Sequence, residues 1–174
     1  MDKRELEDSL RDLDRQLSSS HDLVVVGGAA MILHFGSSRA TRDIDVLALR
    51  GDRSELRRAV EAVARARDLP VNWMGDAVKG FADILPPDFC HRLIPLDLNL
   101  RHLRVYVLGR PDLVAMKVVA LREQDLEDLE LLLPQMSEAD RMTLAGIGDH
   151  VAHFRSDWAQ KIRYFMLERG WQIE

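Results

Sequence analysis

The stretch that decides the fold is Leu23–Leu49, with the sequence LVVVGGAAMILHFGSSRATRDIDVLAL. Its first four residues, Leu23–Val26, are continuously apolar, which is typical of a buried strand. Gly27 and Gly28 close that strand and open a short apolar helix, and a second strand is predicted over residues 44–49. The order of strand, glycine turn, helix, loop and strand predicts an α/β fold built on a small mixed sheet with flanking helices.

Two carboxylates, Asp43 and Asp45, stand at the start of the predicted second strand. Side chains alternate along a strand, so residues two apart point to the same face, where like charges repel. A hard divalent cation, Mg²⁺ or Mn²⁺, makes such a pair favourable, and this is the role we expect for them. The alternative is a salt-bridged surface pair with Arg39 and Arg42.

The Gly27-Gly28 dipeptide lies sixteen residues before Asp43. Glycine permits a tight turn and a close approach of the backbone, and the amides that open a helix attract anions. We therefore expect Gly27 and Gly28 to contact phosphate, a role compatible with close packing of helix on sheet. Arg39 and Arg42 flank the acidic strand, where either guanidinium could grip a phosphate. Phosphate beside paired carboxylates predicts metal-assisted phosphoryl or nucleotidyl transfer.

The bulk properties indicate a globular chain. It has 174 residues, is 47% hydrophobic and 30% charged, and carries a formal net charge of -5. This charge argues against a surface that grips nucleic acid over its whole extent. The single cysteine excludes an internal disulfide and a cysteine-based zinc cluster. The charged N-terminal segment and the lack of a long apolar run predict a cytoplasmic protein that does not enter a membrane.

Three regions are predicted: an N-terminal helix over residues 1–20, a core over 21–134 and C-terminal helices packed on that core over 135–174. The remaining core elements are predicted from the spacing of apolar residues and from the positions of glycine and proline. They are a helix over 55–67 capped by Ser54, a third strand over 70–73, a short helix near 78–84, paired strands over 92–100 and 103–108, and a helix that starts at Arg110-Pro111.

Further candidate residues lie in the second half of the chain. In the segment LIPLDLNL, Asp97 falls on the polar face of a predicted strand, so it is either an outward polar residue or a third metal carboxylate. Lys117 has apolar neighbours and is either a lysine with a buried stem or a phosphate ligand. Asp125 and Asp128 suit the first turn of a new helix. In one straight helix Asp128 would lie about three turns from Lys117, too far for contact.

These motifs resemble the nucleotidyltransferase superfamily related to DNA polymerase beta. The resemblance rests on the Gly27-Gly28 helix, the segment Thr41–Val46, the later Lys117 and the acidic positions that follow it. The chain is similar to small bacterial nucleotidyltransferase-like proteins, which are in turn similar to abortive-infection type toxins of toxin–antitoxin systems. The match covers roughly residues 23–133.

The resemblance implies a Mg²⁺-dependent nucleotidyltransferase with Asp43, Asp45, Lys117 and Asp125 as catalytic residues. It also implies a nucleoside triphosphate donor, a tRNA or protein acceptor and an antitoxin partner. Polymerase-like members place a third acid on a later strand, which Asp97 would match. Two alternatives stay open: a degenerate, non-catalytic fold that binds a nucleotide or a partner protein, and a metal-dependent phosphodiesterase that uses the same carboxylates.

Overall fold

The computed structural model describes residues 1–76 and 82–171, which form seven α-helices and five strands. The strands are β1 (His21–Val26), β2 (Ile44–Arg50), β3 (Met74–Gly75), β4 (Ile94–Leu96) and β5 (Leu103–Val107). The helices are α1 (Lys3–Gln16), α2 (Gly27–Leu33), α3 (Arg53–Arg67), α4 (Arg110–Ala120), α5 (Glu123–Leu132), α6 (Glu138–Ala152) and α7 (Ser156–Glu168). Short 3₁₀ segments cover Ala82–Ile84, Pro87–Arg92 and Leu133–Gln135.

The described residues divide into two compact units. The first consists of residues 1–76 and 93–108 and contains the whole sheet with α1, α2 and α3. The second consists of residues 82–92 and 109–171 and contains α4 to α7. The expected α/β fold, a small mixed sheet with helices and a helical C-terminal portion, is confirmed.

The sheet has the strand order β3-β2-β1-β5-β4. The central strand β1 runs antiparallel to β2 and parallel to β5, and its residues Leu23–Val26 are buried. A strand with neighbours on both sides and helices on the sheet has no polar face, which explains its continuous run of apolar residues. The register pairs Val26 with Asp45, so β1 ends beside the start of β2.

Local signals fix the helices of the first unit. Asp2 and Glu5 form a reciprocal capping box at the start of α1, and its leucines, Leu6, Leu10 and Leu13, are completely buried. The side chain of Asp52, rather than the predicted Ser54, caps α3 by accepting a bond from the amide of Glu55. The spacing of apolar residues predicts both helices. The residue that caps α3 depends on the turn between β2 and α3.

The third strand lies later in the chain than predicted. Trp73 closes a turn by donating its amide to Pro70, and β3 is confined to Met74–Gly75. Trp73 is completely buried, and its indole donates to the carbonyl of Val60 at 2.9 Å. Residues 70–73 therefore form a turn around the buried indole, and the strand begins only at Met74. Of the short helix predicted near 78–84, only the 3₁₀ segment at Ala82–Ile84 is described, and the rest lies outside the described residues.

The second unit is entirely helical within the described residues. Pro111 stands in the first turn of α4, as the sequence predicts, and Ser137 caps α6 by accepting a bond from the amide of Asp140. Leu121 adopts a left-handed conformation with φ +47° and ends α4, so α5 starts in a new direction. No helix among the described residues is long and apolar enough to cross a membrane.

Candidate functional site

The glycine turn and the acidic strand meet at one end of the sheet. Gly27 directly follows Val26, the residue that pairs with Asp45. Its φ of +62° is a left-handed conformation that glycine adopts without strain. A Cβ atom at Gly27 would lie 3.3 Å from Oδ2 of Asp45, a close contact. The sequence therefore places glycine where the backbone must pass directly beside a carboxylate.

Gly28 faces a second part of the same motif. A Cβ atom there would lie 3.7 Å from Oγ1 of Thr41, and this hydroxyl donates a hydrogen bond to the carbonyl of Asp43 at 3.0 Å. Thr41 thus connects the glycine turn to the chain that enters β2. Thr41 belongs to the motif that carries the family resemblance, but reasoning from charged residues alone assigned it no role.

The two carboxylates differ in their surroundings. Asp43 is exposed and immediately precedes β2, and within the described part of the chain its carboxylate makes no hydrogen bond or ion pair. Asp45 is half-buried and lies within β2 beside the glycine turn. The N-cap residue of α2 is Val26, whose side chain makes no capping hydrogen bond to the first amides of the helix. The carboxylate of Asp45 and the glycine turn that opens α2 therefore lie side by side.

The arginines of the motif lie on the loop before β2. Arg39 is half-buried, and its backbone amide donates to the hydroxyl of Ser37. Arg42 is exposed between Thr41 and Asp43. Both therefore lie within a few residues of the acidic pair, at the part of the chain where the sequence predicts a phosphate contact.

Asp97 is not brought to this end of the sheet. It is exposed and follows β4, and β5 and β1 lie between β4 and β2. With strands about 4.8 Å apart, that is a lateral separation of roughly 14 Å from Asp45. Among the described residues, no group of three or more histidine, cysteine or acidic side chains could hold a metal ion. The acidic strand therefore offers two carboxylates, Asp43 and Asp45.

In the second unit, Lys117 forms a buried ionic cluster. Its side chain is 5% exposed, and its ammonium donates to Asp125 Oδ1 at 3.3 Å and to a carboxylate oxygen of Asp128. Asp128 is almost completely buried. The sequence left open a lysine that reaches solvent from the edge of the packed face. That alternative is wrong, because the ammonium itself is enclosed and paired.

The break between α4 and α5 creates this cluster. In a single straight helix Asp128 could not contact Lys117, but the left-handed turn at Leu121 folds α5 back towards α4. Asp125 also accepts a bond from the amide of Arg122 and closes the start of α5. Asp125, which the resemblance implies as a catalytic residue, is therefore a partner of Lys117, and Asp128 is a second, more deeply buried partner.

A second ion pair anchors the start of α4. Asp112 is completely buried, and Arg92 donates to both of its oxygens at 2.8 Å through Nε and Nη2. The same guanidinium donates to Asp88. These bonds raise the pKa of Arg92 despite its partial burial. A Cβ atom at Gly109 would lie 2.7 Å from the carbonyl oxygen of Arg92, so only glycine fits at that position.

A comparison with protein families identifies the family of the chain. A family model described as nucleotidyltransferase of unknown function (DUF6036) matches residues 4–139, which include the glycine turn, the acidic strand and the Lys117 cluster. The chain belongs to this nucleotidyltransferase family. No curated protein matches it. No solved structure matches it either.

Proposed function

We propose that this member of the family is a divalent-metal-dependent enzyme. In this proposal it moves a nucleoside monophosphate from a nucleoside triphosphate to an acceptor. The observation that carries the proposal is the juxtaposition of Gly27 and Asp45, because it places a half-buried glycine backbone beside a carboxylate at the start of β2. A phosphate chain and its metal ion need this combination of groups.

The residues at the acidic strand fit a magnesium ion. Asp43 and Asp45 supply two hard oxygen donors, and Mg²⁺ in nucleotide sites usually takes only one or two carboxylates, with water and phosphate oxygens as its other ligands. When bound, the ion would offset negative charge on the triphosphate. Asp97 lies three strands away and is left out of the proposed ligand set.

The glycine turn has the complementary role. The amides at Gly27 and Gly28 donate to phosphate oxygens, and Arg39 and Arg42 neutralise their charge. The acceptor oxygen then forms a bond to the α-phosphorus, and the bond between that phosphorus and the bridging oxygen breaks. Pyrophosphate leaves with the bonding electrons, and the acceptor proton passes to solvent. The chain's residues hold the reacting groups in place, which is the main contribution a protein makes to phosphoryl chemistry.

Lys117 enters the proposal as a residue that stabilises negative charge during transfer. The two carboxylates that contact it, Asp125 and Asp128, favour the charged ammonium and fix its position. The acceptor is expected to be RNA, such as tRNA, or a protein side chain, and regulation by an antitoxin protein is part of the same proposal. Both expectations rest on the resemblance to toxin-like proteins.

The decisive experiment is a labelling assay. The protein is incubated with each α-labelled nucleoside triphosphate, Mg²⁺, total RNA and total protein from a cell extract, and the labelled polymer is identified. Label in an acceptor that disappears in Asp45→Asn supports the proposal. Consumption of nucleotide without a labelled acceptor would instead support the phosphodiesterase. If Mg²⁺ or Mn²⁺ does not bind and no label is transferred, the degenerate fold is correct.

A matched set of variants separates catalysis by Lys117 from its structural role. Lys117→Ala leaves two carboxylates unpaired and Asp128→Asn removes one partner, so both should destabilise the second unit. Only Lys117→Ala should also lower the single-turnover transfer rate by at least one order of magnitude at a temperature where all proteins are folded. Equal rates in the two variants would remove Lys117 from the chemistry.

A further inference from the structure

The helix α3 concentrates positive charge in a chain that is negative as a whole. It contains five arginines and two glutamates, whereas the formal net charge of the chain is -5. One of these arginines, Arg67, donates to Asp12 of α1. The other four are exposed, and we refer to them as the arginine face: Arg53, Arg57, Arg58 and Arg65.

The arginine face has no ionic partner. Within the described part of the chain, none of its four guanidinium groups forms a hydrogen bond or an ion pair. Glu61 lies three residues from Arg58 and four from Arg57 and from Arg65, a spacing that allows contact on a helix. Even if Glu61 contacted one of them, a single carboxylate would offset only one of the four charges.

The arginines of the neighbouring helix α1 are arranged differently. All three contact acids of the same helix, since Arg4 and Arg11 lie beside Asp8, and Arg15 lies beside Asp12. Pairs of this kind are typical of a charged helix face that is simply solvated. The arginine face of α3 lacks them, so its charge is left for a partner outside the chain.

The spacing of the arginine face suits a partner with repeated negative charges. Arg53 and Arg57 are about one turn apart and Arg58 and Arg65 about two turns apart, so the members of each pair lie on the same side of the helix. Together the four residues span about 18 Å along the helix axis. A nucleic acid presents phosphates continuously over such a length, and a guanidinium can bind a phosphate through two parallel hydrogen bonds.

The composition of α3 favours a nucleic acid over an acidic protein segment. No large apolar residue of α3 is exposed, and the exposed residues of the helix other than arginine are Ser54 and Ala66. Interfaces between proteins have a core of apolar and aromatic side chains from which charged residues are depleted. Interfaces with nucleic acids are more polar and much more positively charged.

We propose that the arginine face of α3 binds the phosphate backbone of a nucleic acid. Each guanidinium contacts phosphate oxygens, so charge and shape govern the binding and the base sequence does not. This surface lies on one helix, and the negative charge of the rest of the chain restricts the contact to it.

The arginine face also has a connection to the acidic strand. Trp73 donates its indole N–H to the carbonyl of Val60 in α3 and accepts a bond from the amide of Ile44 at the start of β2. These two bonds hold α3 next to the strand that carries Asp45. A nucleic acid on α3 would therefore be the acceptor in the transfer reaction, a step that rests on the proposed function, whereas the binding itself does not.

The test is a titration with a fluorescein-labelled RNA of about 20 nucleotides and mixed sequence, and with the DNA of the same sequence. Fluorescence anisotropy gives the affinity between about 50 and 200 mM salt. We expect both strands to bind, with a slope of about -3 for the logarithm of affinity against that of salt concentration if all four arginines contact phosphate. Absence of binding to both strands would overturn the proposal. So would equal affinity for a glutamate-rich peptide of the same charge, which would assign the arginine face to an acidic protein.

Two double variants with the same loss of charge locate the bound strand. Arg58→Gln with Arg65→Gln should weaken binding at least tenfold and make the slope shallower by about 1.4. The control, Arg4→Gln with Arg15→Gln, removes two paired arginines of α1 and should change the affinity less than twofold. Thermal unfolding verifies that both proteins are folded. Equal losses in the two double variants would show non-specific charge attraction and contradict the proposal.

A further variant separates this proposal from the proposed function. Asp45→Asn should bind the RNA like the wild type, because the arginine face is unchanged. A wild-type chain that labels an acceptor but does not bind RNA or DNA would overturn the nucleic-acid surface and leave the transfer function intact. Binding that depends on Arg58 and Arg65 without any transfer of label would support the surface and contradict the transfer function.

Discussion

The carboxylates at the two ends of the sheet differ in their burial and in their hydrogen bonds. Where β1 and β5 begin, the carboxylate of Asp14 is buried and accepts backbone amide bonds. Its three donors are Arg101, His102 and Leu103. Burial raises the pKa of Asp14, but these three amides outweigh that effect, and its pKa lies below the ordinary value. Where β1 ends and β2 begins, Asp43 is exposed and Asp45 half-buried beside a glycine turn.

Other groups at the Asp14 end are satisfied in the same way. His21 is buried, and its two ring nitrogens lie 2.9 Å and 3.1 Å from the carbonyl oxygens of Ser19 and Asp52. A Cβ atom at Gly51 would lie 2.2 Å from the imidazole ring, so glycine is required there. The polar groups at this end therefore hold the fold together, whereas those at the Asp45 end are left accessible. Removing a carboxylate should affect stability at the first end and ligand binding at the second.

The largest expected effect is on metal binding at the accessible end. Asp43→Asn and Asp45→Asn each remove one of two charged donors and should weaken Mn²⁺ binding by at least an order of magnitude. Their unfolding free energies should stay within about 0.5 kcal/mol of the wild type, because neither carboxylate is fully buried. Calorimetric titration with Mn²⁺ alone and urea unfolding measure the two quantities. Wild-type Mn²⁺ affinity in both variants would contradict the expectation that the carboxylates at this end of the sheet serve ligand binding.

At the Asp14 end of the sheet, the anchored end, Asp14→Ala should lower stability and leave metal binding unchanged. The change leaves three amides without their acceptor, and a buried unsatisfied group costs about 1–3 kcal/mol, so we expect a loss of roughly 3 kcal/mol or more. Mn²⁺ affinity at the acidic strand should be unchanged at temperatures where the variant is folded. Urea unfolding checks the first expectation. A loss below about 1 kcal/mol would mean that solvent replaces the carboxylate and that Asp14 is not an anchor.

The glycine turn allows a sharper comparison within the accessible end. Gly27→Ala forces a side chain into a left-handed conformation with its Cβ 3.3 Å from Asp45, so it should cost about 1–2 kcal/mol and disturb nucleotide binding. Gly28→Ala meets only ordinary contact with Thr41 and should be nearly neutral in stability. Gly28→Val places a bulkier, β-branched group beside the proposed phosphate and should lower nucleotide affinity more than stability.

Thermal unfolding and Mg²⁺–nucleotide titration of the three glycine variants distinguish two roles for the turn. If Gly28→Val loses mainly stability, Gly28 serves helix packing and its assignment to phosphate is wrong. If Gly27→Ala is as stable as the wild type, the left-handed conformation is not required at that position. Both outcomes can be read without knowledge of the acceptor.

The sequence predicts the accessible end better than the anchored one. The elements β1, α2 and β2 follow from contiguous signals, namely an apolar run, a glycine pair and an alternating strand. Asp14 carries no such signal, because its partners are backbone amides more than 85 residues away. The same limit applies to Lys117, since its contact with Asp128 depends on a left-handed leucine at position 121, which local preferences disfavour.

The extent of β3 and the position of Asp97 are also not predicted from the sequence, because both depend on contacts between distant parts of the chain. The apolar segment before β3 reads as a strand, but the sheet takes only Met74–Gly75, because Trp73 is drawn under α3 by its bond to Val60. Asp97 lies on an exposed polar position after β4, where alternation in the sequence allowed a surface residue or a metal ligand equally well. Only the strand order shows how far it lies from Asp45.

The smallest expected effect concerns acid stability at the anchored end. Hydrogen bonds from the hydroxyl of Ser19, and from the amide and hydroxyl of Ser18, lower the pKa of Glu55 from 4.5 to about 2. A carboxylate with a lowered pKa stabilises the fold above its unfolded pKa and loses that contribution as the pH falls through its folded pKa. The melting temperature of Glu55→Gln should therefore lie below the wild type at pH 7. The difference should shrink between about pH 4.5 and pH 2.

The matched control is Glu61→Gln, which removes the same charge from α3 away from the serines. Its difference from the wild type should not decrease over that pH range. Asp14 titrates in the same direction because its pKa is also lowered, so the wild type and both variants should all lose stability in acid. Only the gap between the wild type and Glu55→Gln isolates Glu55. A difference in melting temperature that stays constant down to pH 2.5 would mean that Ser18 and Ser19 still contact the protonated carboxyl. The turn after α1 would then depend on these contacts and not on the negative charge of Glu55.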